Sequence, residues 1–178
     1  MTETQAIATR TATAADLETA RLGPRFGRLD LLSRLSLLAV ELLGFDFSTL
    51  PPDRVGICLV VRAGSISTDA DYWSGRNNPG GPSPLLFTYT LPSSAIGEIA
   101  IRHRLTGPVL CLVGGETLAL SEGRGFIERG EADAVVSVFC DAITPAAAEL
   151  CGSAPSSFAR ATLLRAAATV PPSSGSTP

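Results

Sequence analysis

Aromatic residues and clustered positive charge are both scarce in this sequence. Phe, Trp and Tyr make up only 6% of the residues, and the formal net charge is −3 with a pI near 5.1. Nucleic-acid binding rests on clustered Lys and Arg side chains and, for single strands, on aromatic rings that stack with bases. Anionic membranes also attract basic segments. The composition therefore argues against a nucleic-acid binder and against a binder of anionic membranes.

Long apolar runs are absent as well. No stretch approaches the roughly 20 apolar residues of a membrane-spanning helix. Residues 1–20 contain no apolar core behind a basic start, so they do not resemble a secretory signal. We therefore expect a cytoplasmic protein without membrane attachment.

Metal-ligating patterns are missing too. His103 is the only histidine, and the four cysteines form no C-x-x-C pair. A zinc site needs several Cys or His ligands at close spacing. We therefore expect no metal and no cofactor. The cysteines that we interpret as structural thiols are Cys58, Cys111, Cys140 and Cys151.

What the sequence does contain suits one globular domain. The 178 residues are 45% hydrophobic and 17% charged, and a chain of this length can bury a substantial core. The Thr- and Ala-rich start predicts a loose segment over residues 1–24, and the final PPSSGSTP predicts a disordered tail over 170–178. The folded domain is then expected at 25–169.

Three apolar, β-branched runs alternate with helical patterns. The runs at 55–61, 109–113 and 134–140 predict buried strands. Apolar residues at helical spacing predict helices near 30–44, 65–76, 93–106 and 116–130, whereas 159–170 is ambiguous between a strand and a helix. Strands alternating with helices are typical of βαβ units. The sequence predicts an α/β fold with a mostly parallel sheet and helices on its faces.

Four segments resemble, in order, parts of the β-ketoacyl synthase family, which has a thiolase-like fold. The longest is SPLLFTYTLPSSAIGEIAIRHRLTGP at 83–108, similar to the family's Ser-Pro, aromatic, Thr-x-Pro, small-residue helix and Gly-Pro pattern. RGEADAVV at 129–136 is similar to the family's Gly-Asp-Ala-Asp motif, and RLD at 28–30 and DRVG at 53–56 are similar to its opening. Because the resemblance runs from about 25 to 140, it implies the N-terminal half of a ketosynthase.

The resemblance implies where the family's nucleophile should be. In the family, two similar halves pack together, a nucleophilic Cys lies at a strand-to-helix elbow of the first half, and two catalytic His come from the second. Here the elbow falls in VLCLVGGETLALSEG, and no Cys occupies its turn. Val113, Gly115 or Glu116 could stand at the nucleophile position, and we favour Glu116. A carboxylate there is similar to the family's chain-length factors, where a Gln-like residue replaces the nucleophile.

Neither Cys111 nor His103 restores the missing chemistry. Claisen condensation needs a thiolate to hold the acyl chain and paired imidazoles to assist decarboxylation of a malonyl thioester. Cys111 lies inside an apolar run, where burial raises a thiol pKa, and one histidine cannot form a pair. Because the helix macrodipole alone favours a carboxylate at a helix start, the structural interpretation of Glu116 outweighs the functional one.

The leading hypothesis is a non-catalytic, chain-length-factor-like subunit that pairs with a complete β-ketoacyl synthase, or with itself as a dimer, in fatty-acid or polyketide assembly. The alternative is one part of a split β-ketoacyl-[acyl carrier protein] synthase, an acyltransferase active only with a second chain. An acyl carrier protein is a candidate further partner. The predicted partner surface combines the family's dimer edge with the elbow helix and consists of Phe87, Thr88, Tyr89, Thr90, Leu91, Glu116 and Thr117.

Overall fold

A computed structural model describes residues 4–167, which form five strands and seven α-helices. The strands are β1 (Thr4–Thr13), β2 (Val55–Val61), β3 (Val109–Val113), β4 (Ala134–Ile143) and β5 (Ser156–Ala166). The helices are α1 (Ala14–Thr19), α2 (Leu31–Glu41), α3 (Ile66–Ser74), α4 (Pro84–Thr88), α5 (Ser94–His103), α6 (Glu116–Glu128) and α7 (Pro145–Cys151). The predicted tail at 170–178 lies outside the described residues.

All five strands belong to one mixed sheet with the order β1-β5-β4-β2-β3. β2 pairs in parallel with β3 and with β4, and β5 pairs antiparallel with β4 and β1. The register places Val61 beside both Val113 and Cys140. The predicted α/β class and the three predicted strands are confirmed, and the ambiguous stretch from 159 is a strand as far as residue 166. β3 was expected to be buried, but it is an edge strand whose two end residues are exposed, and two of the four strand pairs are parallel.

Helices cover both faces of the parallel part of the sheet. α5, on the connection from β2 to β3, packs with α2 over one face, and α6, on the connection from β3 to β4, covers the other. Every residue of β2 and β4 is buried, because each strand has neighbours on both sides and helices above and below. This double burial explains why β2 is apolar throughout and β4 is apolar except at Ser137 and Asp141.

Helix α2 begins and ends where its sequence predicts. One Asp30 carboxylate oxygen accepts the backbone N–H of Ser33 at 3.0 Å and caps the helix. The other accepts the hydroxyl of Thr68 at 2.8 Å, which ties α2 to α3. Beyond the last turn, Gly44 adopts a φ of 64°, a backbone conformation that glycine enters without penalty.

The N-terminal segment differs from its prediction. Residues 4–13 form the edge strand β1 and residues 14–19 form α1, so a loose segment over 1–24 is wrong for these residues. β1 pairs with β5, where Thr13 lies beside Phe158, and most of its side chains are exposed. Hydrophobic patterns report burial, and a largely exposed edge strand leaves a weak pattern.

The two glycines of α6 are approached by side chains rather than by another backbone. A Cβ at Gly123 would lie 2.9 Å from Cδ1 of Leu164, and a Cβ at Gly125 would lie 2.7 Å from Nη1 of Arg129. Both neighbours are side chains. The close backbone approach occurs instead at Gly107, where a Cβ would overlap the carbonyl oxygen of Val55.

Candidate functional site

The turn between β3 and α6 is a tight strand-to-helix elbow. The backbone N–H of Gly114 donates to the carbonyl of Val61 on the neighbouring strand at 2.9 Å. A Cβ at Gly114 would lie 2.7 Å from Cδ2 of Leu118, so the first turn of α6 folds closely over this position. Gly115 is extended, with φ −97° and ψ 170°, and Glu116 is the first helical residue. The elbow therefore presents its side chains at the carboxyl end of β3.

Glu116 is held by an ion pair across the fold. Nη1 of Arg160, on β5, lies 2.7 Å from Oε2 and 2.8 Å from Oε1 of Glu116. Nε of the same guanidinium donates to the hydroxyl of Thr11 on β1 at 3.2 Å. Sequence reasoning did not find Arg160, because it lies 44 positions from Glu116 and no local pattern links the two.

The three candidate nucleophile positions all lie on this elbow. Val113 ends β3 with 66% of its side chain exposed, Gly115 has no side chain, and Glu116 carries the one ionisable group among them. The choice of Glu116 as the nucleophile-equivalent position stays a prediction. Its carboxylate oxygens, already engaged by a guanidinium, make a better hydrogen-bond acceptor than a nucleophile.

The sulfurs lie away from the elbow turn. Cys111 is in the middle of β3, where burial raises its pKa. Burial raises the pKa of Cys58 and of Cys140 to about 12. Cys151 is exposed at the end of α7. Since the thiolate is the reactive form, the three thiols on the parallel strands hold little nucleophile at neutral pH.

His103 lies at the opposite end of β3 from the elbow. It ends α5, and the five residues of β3 span about 13 Å of extended chain. Burial lowers the pKa of His103, Glu41 opposes that effect and Arg102 adds to it. Nε2 lies 3.2 Å from the Glu41 carboxylate without hydrogen-bond geometry, and the ring packs edge-on against Phe47. The expected structural role for His103 agrees with this packing.

The predicted partner surface divides into exposed and buried residues. Phe87 and Leu91 are exposed, whereas Tyr89 is only 6% exposed and points into the core. Its hydroxyl lies 3.3 Å from Glu98, and burial raises its pKa. The hydroxyl of Ser65, which follows β2, donates to the carbonyl of Thr90, so this segment is anchored at the same end of the sheet as the elbow.

Residues 4–167 contain neither a metal site nor a membrane-spanning helix. No group of three or more His, Cys, Asp and Glu side chains there could hold a metal ion. None of the helices in that range combines the length and apolarity that a membrane crossing needs.

Three solved structures are similar to this chain. The ishigamide ketosynthase/chain length factor is 24% identical, with a TM-score of 0.70 over 84% of this chain and 47% of its own. The ketosynthase ApeO in complex with its chain length factor ApeC, from Xenorhabdus doucetiae, gives 16% identity and a TM-score of 0.71 over 93% of this chain and 79% of the matched one. The third structure is AntDE:AntF, a type II PKS acyl-carrier protein in complex with its ketosynthase bound to the hexaketide. It is 17% identical, with a TM-score of 0.72 over 85% of this chain and 51% of the matched one.

The chain has a ketosynthase-like fold. The predicted thiolase-like architecture is thereby confirmed. This ketosynthase-like chain spans about half the length of the matched chains in the first and third structures, and most of the matched chain in the second. No protein-family model and no curated protein sequence matches it.

Proposed function

We propose that this ketosynthase-like chain is a non-catalytic, chain-length-factor-like subunit that pairs with a complete β-ketoacyl synthase in fatty-acid or polyketide assembly. The observation that carries the proposal is the elbow, which contains a carboxylate paired with Arg160 and no thiol at its turn. Two of the similar structures carry both a ketosynthase and a chain length factor in their names.

The chemistry of the described residues supports a structural role for this elbow. A condensing nucleophile must be exposed at the turn and ionise near neutral pH. Cys111 is the sulfur closest in sequence to the turn, yet it lies in mid-strand with a raised pKa. Glu116 is engaged on both oxygens, so the pair with Arg160 fixes the start of α6.

The exposed edge of β3 supports pairing with a partner. Val109 is 56% and Val113 is 66% exposed, and β3 has a neighbour on one side alone within the described sheet. Unpaired edges invite another strand, and proteins protect them with charge, proline or bulges. The opposite edge, β1, has such protection in Arg10 and in a register shift near Ala8. β3 contains no charged residue and no register shift, so its free edge is open to pairing with another strand.

An apolar patch on α3, α4 and the segment that follows α4, at the same end of the sheet, supports the same role. Large apolar side chains are exposed there, and the rings of Tyr72 and Phe87 lie 5.6 Å apart. Exposed aromatic anchors are typical of residues that dominate protein–protein binding. The exposed members are Trp73, Leu85, Phe87 and Leu91.

Co-expression with a complete ketosynthase from the same organism tests the proposal. Size-exclusion chromatography with light scattering should show a complex that survives dilution. Val113→Lys places a charge on the β3 edge and Phe87→Asp places one on the apolar patch, and each should weaken the complex at least tenfold. Ile7→Lys on the β1 edge and Leu150→Asp on α7 are matched controls, since both residues are exposed and apolar but lie elsewhere. Both controls should leave the complex intact.

Several outcomes would contradict the proposal. One is a chain that stays monomeric beside the ketosynthase. Another is malonyl extension by the isolated chain, or an acyl group trapped on one of its sulfurs. Condensing activity that needs both chains and disappears with Glu116→Ala would favour the split-synthase alternative. An acyl carrier protein as partner and a cytoplasmic location remain predictions from the sequence.

A further inference from the structure

A crevice opens where the carboxyl ends of β2 and β4 meet. The chain leaves β2 toward β3 on one side, while β4 lies on the other side of β2, so these two ends form a topological switch point. Ligands of open α/β sheets bind outside the carboxyl ends of strands at such points. Here a cavity of about 310 Å³ is bounded by Ser67 and Thr68, after β2, and by Thr144, after β4. Its volume is at the lower end of the roughly 300–1,000 Å³ of small-molecule pockets.

Two opposite charges line this crevice without meeting each other. Arg34, from α2, and Asp71, from α3, both line the cavity, and neither makes an ion pair anywhere within residues 4–167. Nε of Arg34 is buried and has no hydrogen-bond partner there. Arg34 lines the crevice without an ion-pair partner, so an anion that enters the crevice can pair with its guanidinium charge.

The remaining polar groups of the crevice are already engaged. Both oxygens of Asp30 accept hydrogen bonds, from Ser33 and Thr68, and its charge lies at the start of α2, where the helix dipole stabilises it. The hydroxyl of Ser67 donates to the carbonyl of Ala142 and accepts the N–H of Thr144, each at 2.9 Å. Arg34 and Asp71 are therefore the two charged groups left for a ligand.

The rest of the lining is apolar and comes from Leu29, Leu31 and Leu86. We propose that this crevice binds an α-amino acid with a branched aliphatic side chain such as that of leucine. The amino acid's carboxylate pairs with Arg34, its ammonium group pairs with Asp71, and its side chain contacts the three leucines. The site lies on the isolated chain and does not depend on pairing with a ketosynthase.

Titration calorimetry on the full chain without any partner tests the site, with L-leucine as the probe. 4-Methylpentanoate keeps the carbon skeleton and the carboxylate but lacks the ammonium group, and 3-methylbutan-1-amine lacks the carboxylate. L-leucine should bind saturably, and each analogue at least tenfold more weakly. Arg34→Met and Asp71→Asn should each weaken leucine binding at least tenfold. Arg124→Met and Asp53→Asn remove the same charges from exposed positions outside the crevice and should not change binding.

The results that overturn the site are equally specific. The absence of saturable leucine binding would do so, as would equal binding of leucine and either analogue. Unchanged affinity in Arg34→Met or Asp71→Asn would also exclude the proposed contacts. Thermal unfolding of each variant shows whether a loss of binding reflects a loss of fold, and Arg34→Lys, which keeps the charge, should retain more binding than Arg34→Met.

Discussion

The two oxygens of Glu116 share a single nitrogen of Arg160, at 2.7 and 2.8 Å. This contact joins the first residue of α6 to the middle of β5, and through Thr11 it reaches the edge strand β1. The elbow after β3 is thus held by contacts with β5 and, through β5, with β1.

Removing this ion pair should have a small effect on stability. The side chains of Arg160 and Glu116 are 39% and 36% exposed, and pairs with this exposure contribute on the order of 0–1 kcal/mol. Glu116→Gln and Arg160→Met should each lower the free energy of unfolding within that range. Urea unfolding of the singles and the double variant gives the coupling energy, which should shrink at high salt. A salt-independent coupling of several kcal/mol would contradict a screened pair.

The four thiols should differ sharply in reactivity. Cys58 and Cys140 are buried and burial raises both pKa values to about 12, while Cys111 is half-buried with a raised pKa. Cys151 is exposed. A thiol reagent added to the native protein should therefore label Cys151 at once and the others only slowly, as mass spectrometry of the labelled peptides would show. Rapid labelling of Cys111 would reveal an unexpected thiolate at the elbow strand.

Stability should fall as the pH drops through the titration of His103. Burial holds its folded-state pKa below the ordinary 6.5, so the unfolded chain takes up the proton first. The stability that comes from keeping His103 neutral is fully present above pH 6.5. It is lost as the pH falls from that value to the folded-state pKa. Because His103 is the only histidine, a single imidazole signal reports its titration by NMR. His103→Gln should remove this part of the pH dependence, and a titration midpoint above 6.5 would show the opposite sign.

Alanine should be tolerated very differently at two glycines. At Gly107 a Cβ would overlap the carbonyl oxygen of Val55, so backbone must move, and Gly107→Ala should destabilise the protein by about 1–3 kcal/mol. At Gly97, inside α5, a Cβ would meet nothing within 4 Å, and Ala should stabilise the helix by about 0.5–1 kcal/mol. Thermal unfolding separates the two, and equal effects would mean that the approach at Gly107 relaxes freely.

The strands that could be predicted are the three parallel ones, whose sequences are largely apolar. β2 is continuously apolar and β4 nearly so, because every residue of both strands is buried, and α2 carries its cap in Asp30. β1 was not predicted, because it is held in place by pairing with β5 and most of its side chains are exposed. The pattern alone could not distinguish a strand from a helix at β5.

The candidate site could be predicted only as far as its local sequence. The glycines before Glu116 and the apolar run before them predict the elbow, which the structure contains. Arg160 pairs with it from another strand, and Arg34 and Asp71 line one crevice from two different helices. Such contacts depend on how the helices and strands pack together, and they cannot be predicted from any single segment of the sequence.

The position of β5 in the sheet has a consequence for how the chain is made. β5 follows every other described strand in sequence, yet it lies between β4 and β1. During synthesis, β1 is made before the other described strands, and its partner in the sheet is available only after residues 156–166 have left the ribosome. The three parallel strands can pair earlier, so this sheet is completed only when β5 becomes available to join β4 to β1.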